Sequence, residues 1–182
     1  MFSIFLKPNF LIAQYAFWLS AIVAVSVAKA LELYVPEVKV KWPNDLLING
    51  LKVGGLLIEN TVSGQKLDQS VVGIGININQ ISVLPTATSL ALEGRQEFDR
   101  EEILAAILSE ISTGYFYLQQ MGWEKVRSVY YSKLYKMAVL REYFLPDGQP
   151  FKAILKSISD RGELILLCKD GEKRFQFKEV RF

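Results

Sequence analysis

The stretch that decides the fold is Lys41-Trp42-Pro43-Asn44-Asp45, followed by Lys52-Val53-Gly54-Gly55 at the start of a second apolar run. The first string closes a strand-like segment, and the pair Asn49-Gly50 between the two strings is a hairpin signal. The pattern predicts a hairpin that gathers two lysines, a carboxylate, an amide and two adjacent glycines. Such a set suits an anionic, carboxylate-derived ligand held against bare backbone.

A second glycine-bearing strand is predicted at 70–78, where Gly73 and Gly75 interrupt an apolar run. Glycine inside a strand leaves nothing to pack and often marks a bulge or a close backbone approach. Two such strands would leave shallow slots on a sheet face where a flat ring could lie. The Gly-x-Gly spacing is not the dinucleotide fingerprint, which needs a third glycine and a helix at once. Asn77 and Asn79 either read a purine edge or cap the strand end.

The composition of the chain excludes several kinds of catalytic and metal site. The 182 residues include no histidine, which excludes Ser-His-Asp catalysis, Cys-His catalysis and His-ligated zinc. A formal net charge of +2 is too small to indicate a nucleic-acid partner, and we expect none. Cys168 is the single cysteine, so no internal disulfide is possible, and we expect a cytoplasmic protein. Its strand-like neighbours favour a packing residue over a nucleophile.

One segment, residues 10–31, is apolar enough to suggest a membrane span. Polar residues interrupt it four times, at Gln14, Ser20, Ser26 and Lys29. An Ala-rich helix that covers a sheet would look the same. We therefore predict a buried helix over Ile12–Leu33 and no membrane partner, with a membrane anchor as the weaker alternative.

The rest of the chain divides into two predicted domains, 1–131 and 132–182. In the first, Phe2–Leu6 reads as a strand, and Asp99 with Glu102 forms a capping-box pattern before a helix over Arg100–Met121. In the second, three hairpin signals (Asp147-Gly148, Asp160-Arg161-Gly162 and Asp170-Gly171) separate short alternating runs. These signals predict a small β-barrel or sandwich over Val139–Phe182.

The strings at 41–45, 52–59 and 73–79 together closely resemble the biotin–protein ligases. The string at 41–45 is highly specific, and its distances from the other two strings argue against a chance match. Residues 2–8 and 87–90 and the C-terminal β region extend the likeness over nearly the whole chain. The resemblance implies an α+β fold: a mixed β-sheet covered by helices, with a small C-terminal SH3-like β-barrel.

The resemblance also implies a two-step reaction. Biotin and ATP would form biotinyl-5′-AMP with the help of Mg²⁺, and a lysine of a biotin carboxyl carrier protein would then take the biotinyl group. By family position, the residues carry these roles: catalysis by Lys52, Asp45, Asn44 and Lys41; biotin binding by Lys52, Gly54, Gly55, Leu56, Gly73 and Trp42; ATP binding by Asn77, Gly75 and Asn44; Mg²⁺ binding by Asp45.

One departure from the family pattern bears on activity. The family's Gly-Arg-rich adenylate loop precedes the strand that matches residues 2–8, and we find no equivalent in this sequence. Loss of several charge-assisted hydrogen bonds would weaken ligand binding by orders of magnitude. The alternatives are therefore an impaired or inactive relative that acts as a binding or oligomeric module, and a lipoate or octanoate transferase. Exposed sheet edges make a homodimer a possible arrangement.

Overall fold

A computed structural model gives the fold of the protein, and residues 1–181 are described from it. The chain forms two compact units, Met1–Tyr135 and Lys136–Phe182. This division lies slightly later than the one predicted from composition. The reason is that a helix continues to Lys133 and that the Tyr135 N–H then donates a hydrogen bond of 2.8 Å to the carbonyl of Val40.

The first unit combines one sheet with a layer of helices. Its strands are β1 (Phe2–Leu6), β2 (Lys39–Lys41), β3 (Asp45–Ile48), β4 (Leu51–Ser63) and β5 (Lys66–Ile76). Its helices are α1 (Phe17–Leu31), α2 (Leu90–Gly94), α3 (Arg100–Met121) and α4 (Trp123–Lys133), with a 3-10 turn at Ala13–Tyr15.

The sheet has the order β1-β5-β4-β3-β2, and each neighbouring pair of these strands is antiparallel. Two isolated bridges, Lys52 to Ala87 and Val40 to Leu134, add parallel pairing. The predicted α+β fold with a helix-covered sheet is confirmed.

The sheet has one buried face and one open face, because successive side chains of a strand point to opposite sides. Leu56, Val72 and Ile74 are almost completely buried, whereas Leu57 and Val71 are 65% and 42% exposed. Residues directly opposite each other in the β4–β5 register share a face. We call the exposed side the open face; on β4 and β5 it carries Gly55, Leu57, Glu59, Val71, Gly73 and Gly75.

Helix α1 can be apolar on all sides because other elements of the fold surround it. It packs against β2, β3 and β4 and also against α3 and α4. The segment Ala13–Leu31 is long and apolar enough to cross a bilayer, and 67% of its most apolar window is buried inside the fold. Such burial is what the predicted core helix requires. The prediction of one continuous helix over Ile12–Leu33 is wrong at both ends: a 3-10 turn at Ala13–Tyr15 precedes Phe17, and the helix ends at Leu31.

Helix α3 begins and ends where the sequence predicts. The Asp99 carboxylate accepts hydrogen bonds from the backbone N–H groups of Glu101 at 2.7 Å and Glu102 at 3.4 Å, as an N-cap should. The Glu102 side chain accepts a hydrogen bond from the Tyr34 hydroxyl at 3.3 Å. The capping-box pattern assigned the Glu102 side chain to the start of the helix, but this side chain makes a tertiary hydrogen bond.

The second unit is an antiparallel meander of β6 (Leu140–Phe144), β7 (Pro150–Ile158), β8 (Leu164–Cys168) and β9 (Gly171–Phe175). Each predicted turn contains a glycine with positive φ: 88° at Gly148, 89° at Gly162 and 116° at Gly171. Arg181 and Phe144 exchange two backbone hydrogen bonds of 2.9 Å, which brings the chain back beside β6. The arrangement is compatible with an SH3-like barrel; Phe182, the last residue of the predicted range, lies outside the described residues.

Cys168 lies at the end of β8 and is partly buried. Burial raises the pKa of its thiol above the ordinary value. A raised pKa leaves less of the nucleophilic thiolate at neutral pH, in agreement with the predicted packing role.

Candidate active site

Lys52 and Asp45 meet at the open face, where β3 and β4 run side by side. The Lys52 Nζ atom lies 2.5 Å from Asp45 Oδ1. The lysine side chain is 50% exposed and the aspartate side chain 29% exposed, so both charged groups can reach a ligand from solvent.

A β-bulge gives Lys52 its direction. Leu46 lies opposite Gly54, but Leu47 lies opposite Lys52, so Val53 is an extra residue on β4. The extra residue reverses the side-chain alternation and places Lys52 on the same face as Gly55. A Cβ atom on Gly55 would lie 3.2 Å from Asp45 Oδ1 and 3.5 Å from Lys52 Cε, so the ion pair lies over this glycine.

Bare backbone continues from Gly55 across the open face. Gly55 lies opposite Gly75, and Leu57 lies opposite Gly73. A Cβ atom at Gly75 would meet no atom within 4 Å, and one at Gly73 would make only ordinary contacts, at 3.7 Å and 3.9 Å. Neither glycine has a positive φ. Packing and backbone geometry therefore do not explain these two glycines, whereas a ligand lying on the strands would.

Gly54 and Leu56 are not brought to the open face. A Cβ atom on Gly54 would lie 2.4 Å from the carbonyl oxygen of Gly75 and 2.6 Å from Ile76 Cδ1, so this glycine permits close contact between β4 and β5. The Leu56 side chain is 4% exposed in the core. These two residues, which were predicted to border biotin, therefore lie on the buried side of the sheet.

The strand corner at residues 41–45 is bonded to β4. The Trp42–Pro43 peptide bond is cis, and the Trp42 side chain is buried. The Asn44 Nδ2 group donates a hydrogen bond to the Leu56 carbonyl. In return, the Leu56 N–H donates to the Asn44 carbonyl at 2.9 Å. Asn44 thus fixes the corner to β4, and Lys41 lies opposite Asp45 in the β2–β3 pair.

The two asparagines after β5 bind protein loops. Asn77 Nδ2 donates to the Thr88 carbonyl at 3.0 Å, and the Asn77 N–H donates to the Val53 carbonyl at 2.8 Å. The Asn79 side chain donates to the Phe98 carbonyl at 2.8 Å and accepts from the Phe98 N–H at 3.0 Å. Of the two readings left open by the spacing, strand-end capping describes these contacts.

Residues 87–90 are part of the family likeness, but the sequence did not predict that this segment lies beside Lys52. The Lys52 N–H donates to the Thr86 carbonyl at 3.0 Å, and the Lys52 carbonyl accepts from the Thr88 N–H at 2.8 Å. A local signal that could have located it is Ser89, the N-cap of α2, whose side chain accepts from the Leu92 N–H at 3.2 Å. That signal locates the end of the loop but not its partner.

The site offers one carboxylate for a divalent cation. Over residues 1–181 no group of three or more His, Cys, Asp or Glu residues could hold a metal ion by itself. Mg²⁺ usually binds through one or two protein carboxylates together with substrate phosphates and water. Asp45 therefore fits a magnesium ion that arrives with a phosphate ligand.

The biotin/lipoate A/B protein ligase family matches residues 1–77 of the chain. Over 98% of this chain, the sequence is 27% identical to the bifunctional ligase/repressor BirA of Bacillus spizizenii, and it spans about half, 56%, of that relative's length. Over 90% of this chain, it is 29% identical to the biotin–[acetyl-CoA-carboxylase] ligase of Paracoccus denitrificans, covering 72% of that protein.

Solved structures extend the likeness to the fold. The biotin protein ligase of Aquifex aeolicus in complex with biotin and ATP aligns with a TM-score of 0.78 and 27% identity. That alignment covers 98% of this chain and 75% of the other.

Proposed function

Since the chain belongs to the biotin–protein ligase family, we propose that it activates biotin with ATP and transfers the biotinyl group to a lysine of a carboxyl-carrier protein in the cytoplasm. The observation that carries the proposal is the Lys52–Asp45 pair, with its 2.5 Å contact, beside the glycine floor of the open face. The pair supplies charge, and the glycines leave room for a ligand ring.

In the first step, a carboxylate oxygen of biotin bonds to the α-phosphorus of ATP, and the bond from that phosphorus to the pyrophosphate oxygen breaks. Two anions approach each other, so fixed positive charge where they meet lowers the barrier. The position of Lys52 supports this role, because its side chain lies over Gly55, next to the bare backbone on which biotin would lie. A bound Mg²⁺, held by Asp45 and the phosphates, would supply further positive charge.

In the second step, the carrier lysine attacks the acyl carbon of biotinyl-5′-AMP, and AMP leaves with the electron pair of the broken C–O bond. The attacking amine must first lose a proton, because an ammonium has no free electron pair. Asp45 is a partly exposed carboxylate at this point of the site. It can orient the incoming ammonium and accept its proton.

The two roles of the pair can be separated with Asp45→Asn. We expect transfer to the carrier to fall on the order of 10²-fold, because the proton acceptor is gone. Adenylate formation should fall less, because the Lys52 ammonium remains and the amide oxygen of the new Asn side chain can still contact a phosphate-bound Mg²⁺. Pyrophosphate release measures the first step, and the mass increase of a carboxyl-carrier domain measures the second. Glu59→Gln is the matched control: it neutralises another exposed carboxylate of the open face, farther along β4.

The wild-type protein is tested in the same assay with biotin, lipoate, ATP and Mg²⁺. Biotin transfer supports the proposal. Transfer of lipoate alone would assign the chain to the other activity in the family description, and absence of transfer by folded protein would refute a ligase function. If Asp45→Asn slows both steps equally, that result would contradict a separate role of Asp45 in the second step.

A further inference from the structure

The backbone of Lys52 is held by a segment that replaces β5. Strand β5 leaves the sheet after Ile76, and residues 86–88 take the place beside Lys52 as a parallel bridge. The bridge consists of the two hydrogen bonds to Thr86 and Thr88, at 3.0 Å and 2.8 Å. The direction of the Lys52 side chain therefore depends on where this segment lies.

Thr88 connects Lys52 with Asn77. Its N–H donates to the Lys52 carbonyl at 2.8 Å, and its carbonyl accepts from Asn77 Nδ2 at 3.0 Å. Thr88 is 2% exposed, so these bonds are largely shielded from water. Lys52, proposed to supply positive charge in the first step, and Asn77, expected to bind ATP, thus contact the same peptide segment.

Glu93 fixes the side chain of Thr88. The Thr88 hydroxyl donates to Glu93 Oε1 at 2.6 Å, and Asn49 Nδ2 donates to Glu93 Oε2 at 2.7 Å. Asn49 belongs to the turn between β3 and β4, where it has a φ of 51°. One carboxylate therefore joins α2, the bridging segment and the turn that leads into Lys52.

We propose that Thr88 and Glu93 are positioning residues, which hold the Lys52 ammonium and the Asn77 amide at the separation that the adenylate requires. The inference rests on the proposed function. Neither residue lies on the open face or donates charge to it. They act through the backbone of Lys52, whose half-exposed side chain has no comparable restraint of its own apart from Asp45.

Thr88→Val removes the hydroxyl and keeps the shape, whereas Thr88→Ser keeps the hydroxyl. We expect Thr88→Val to lower kcat for adenylate formation about tenfold, the effect of a small misplacement of a reacting group, with KM for ATP changed less than threefold. Thr88→Ser should retain the wild-type rate. Glu93→Ala should behave like Thr88→Val, and Glu93→Gln should recover activity because Asn49 can turn its amide to match.

The double variant Thr88→Val/Glu93→Ala is expected to be no slower than Glu93→Ala, because both changes break the same bond. Asp99→Ala is the stability control: it removes the N-cap of α3, away from Lys52, and should lower the melting temperature with kcat unchanged. Hydrogen exchange at the amides of Lys52 and Thr88 should quicken at least tenfold in Thr88→Val and stay slow in Thr88→Ser.

Three results would overturn the inference. The first is a Thr88→Val variant that is as active as an active wild type. The second is a Thr88→Ser variant that loses rate as Thr88→Val does. The third is a set of rates that follow the melting temperature across all variants, the Asp99→Ala control included. A wild-type protein that forms no adenylate would overturn the proposed function and this inference with it. The first three results leave the proposed function standing.

Discussion

We expect Lys52→Ala to form biotinyl-5′-AMP about 10²–10³-fold more slowly than the wild type, the usual effect of removing one fixed group that stabilises developing charge. The reason is that the Lys52 ammonium lies over Gly55, at the edge of the glycine floor. Its bond to Asp45 is half exposed, so its loss should change stability little. Pyrophosphate release measures the rate, and thermal unfolding measures the stability.

Lys156→Ala is the matched control for this substitution. Lys156 is 51% exposed, close to the value for Lys52, and it also pairs with a carboxylate, that of Glu172. It lies in the second unit, and we expect its removal to leave adenylate formation unchanged. Lys52→Arg should recover only part of the rate, because a planar guanidinium cannot occupy the position of a compact ammonium. A Lys52→Ala variant within threefold of the wild type would refute the role of Lys52.

The glycines of β4 and β5 give the second large effect. Gly75→Val should abolish measurable biotin binding, at least a 10²-fold weakening, because the side chain would occupy the floor of the open face. The fold should stay intact or become more stable, because no atom lies within 4 Å of the added Cβ and valine favours strands. Calorimetric titration of biotin and thermal unfolding of the same sample report the two properties.

Gly54→Ala should have the reverse effect, lowering stability more than biotin binding. Its Cβ would lie 2.4 Å from a backbone oxygen, so β4 and β5 must move apart, at a cost of about 1–3 kcal/mol or more. We expect a clear fall in melting temperature, with biotin binding by the remaining folded protein affected less than in Gly75→Val. Normal biotin affinity in Gly75→Val would show that the glycine floor is not the ligand site.

Local signals were enough for much of the fold. The Asp99 cap, the helix over Arg100–Met121 and the glycine turns at 148, 162 and 171 are set by residues close in sequence. Such features can be predicted because their hydrogen bonds close within a few residues.

The geometry of the site could not be predicted in the same way. The bulge at Val53 depends on how Leu46 and Leu47 pair across the sheet, and without it the alternation rule places Lys52 and Gly55 on opposite faces. The contact between Lys52 and Thr88 joins residues far apart in sequence. Alternation along a strand places Gly54 and Gly55 on opposite faces of the sheet, but only the register shows which of the two lies on the open face.

A crystal structure of the protein with biotin bound tests the central claim most directly. We predict that the biotin ring lies over Gly73 and Gly75 and that its carboxylate lies about 2.7–3.2 Å from Lys52 Nζ. Biotin bound away from the open face, or a Lys52 ammonium turned away from the carboxylate, would contradict the account.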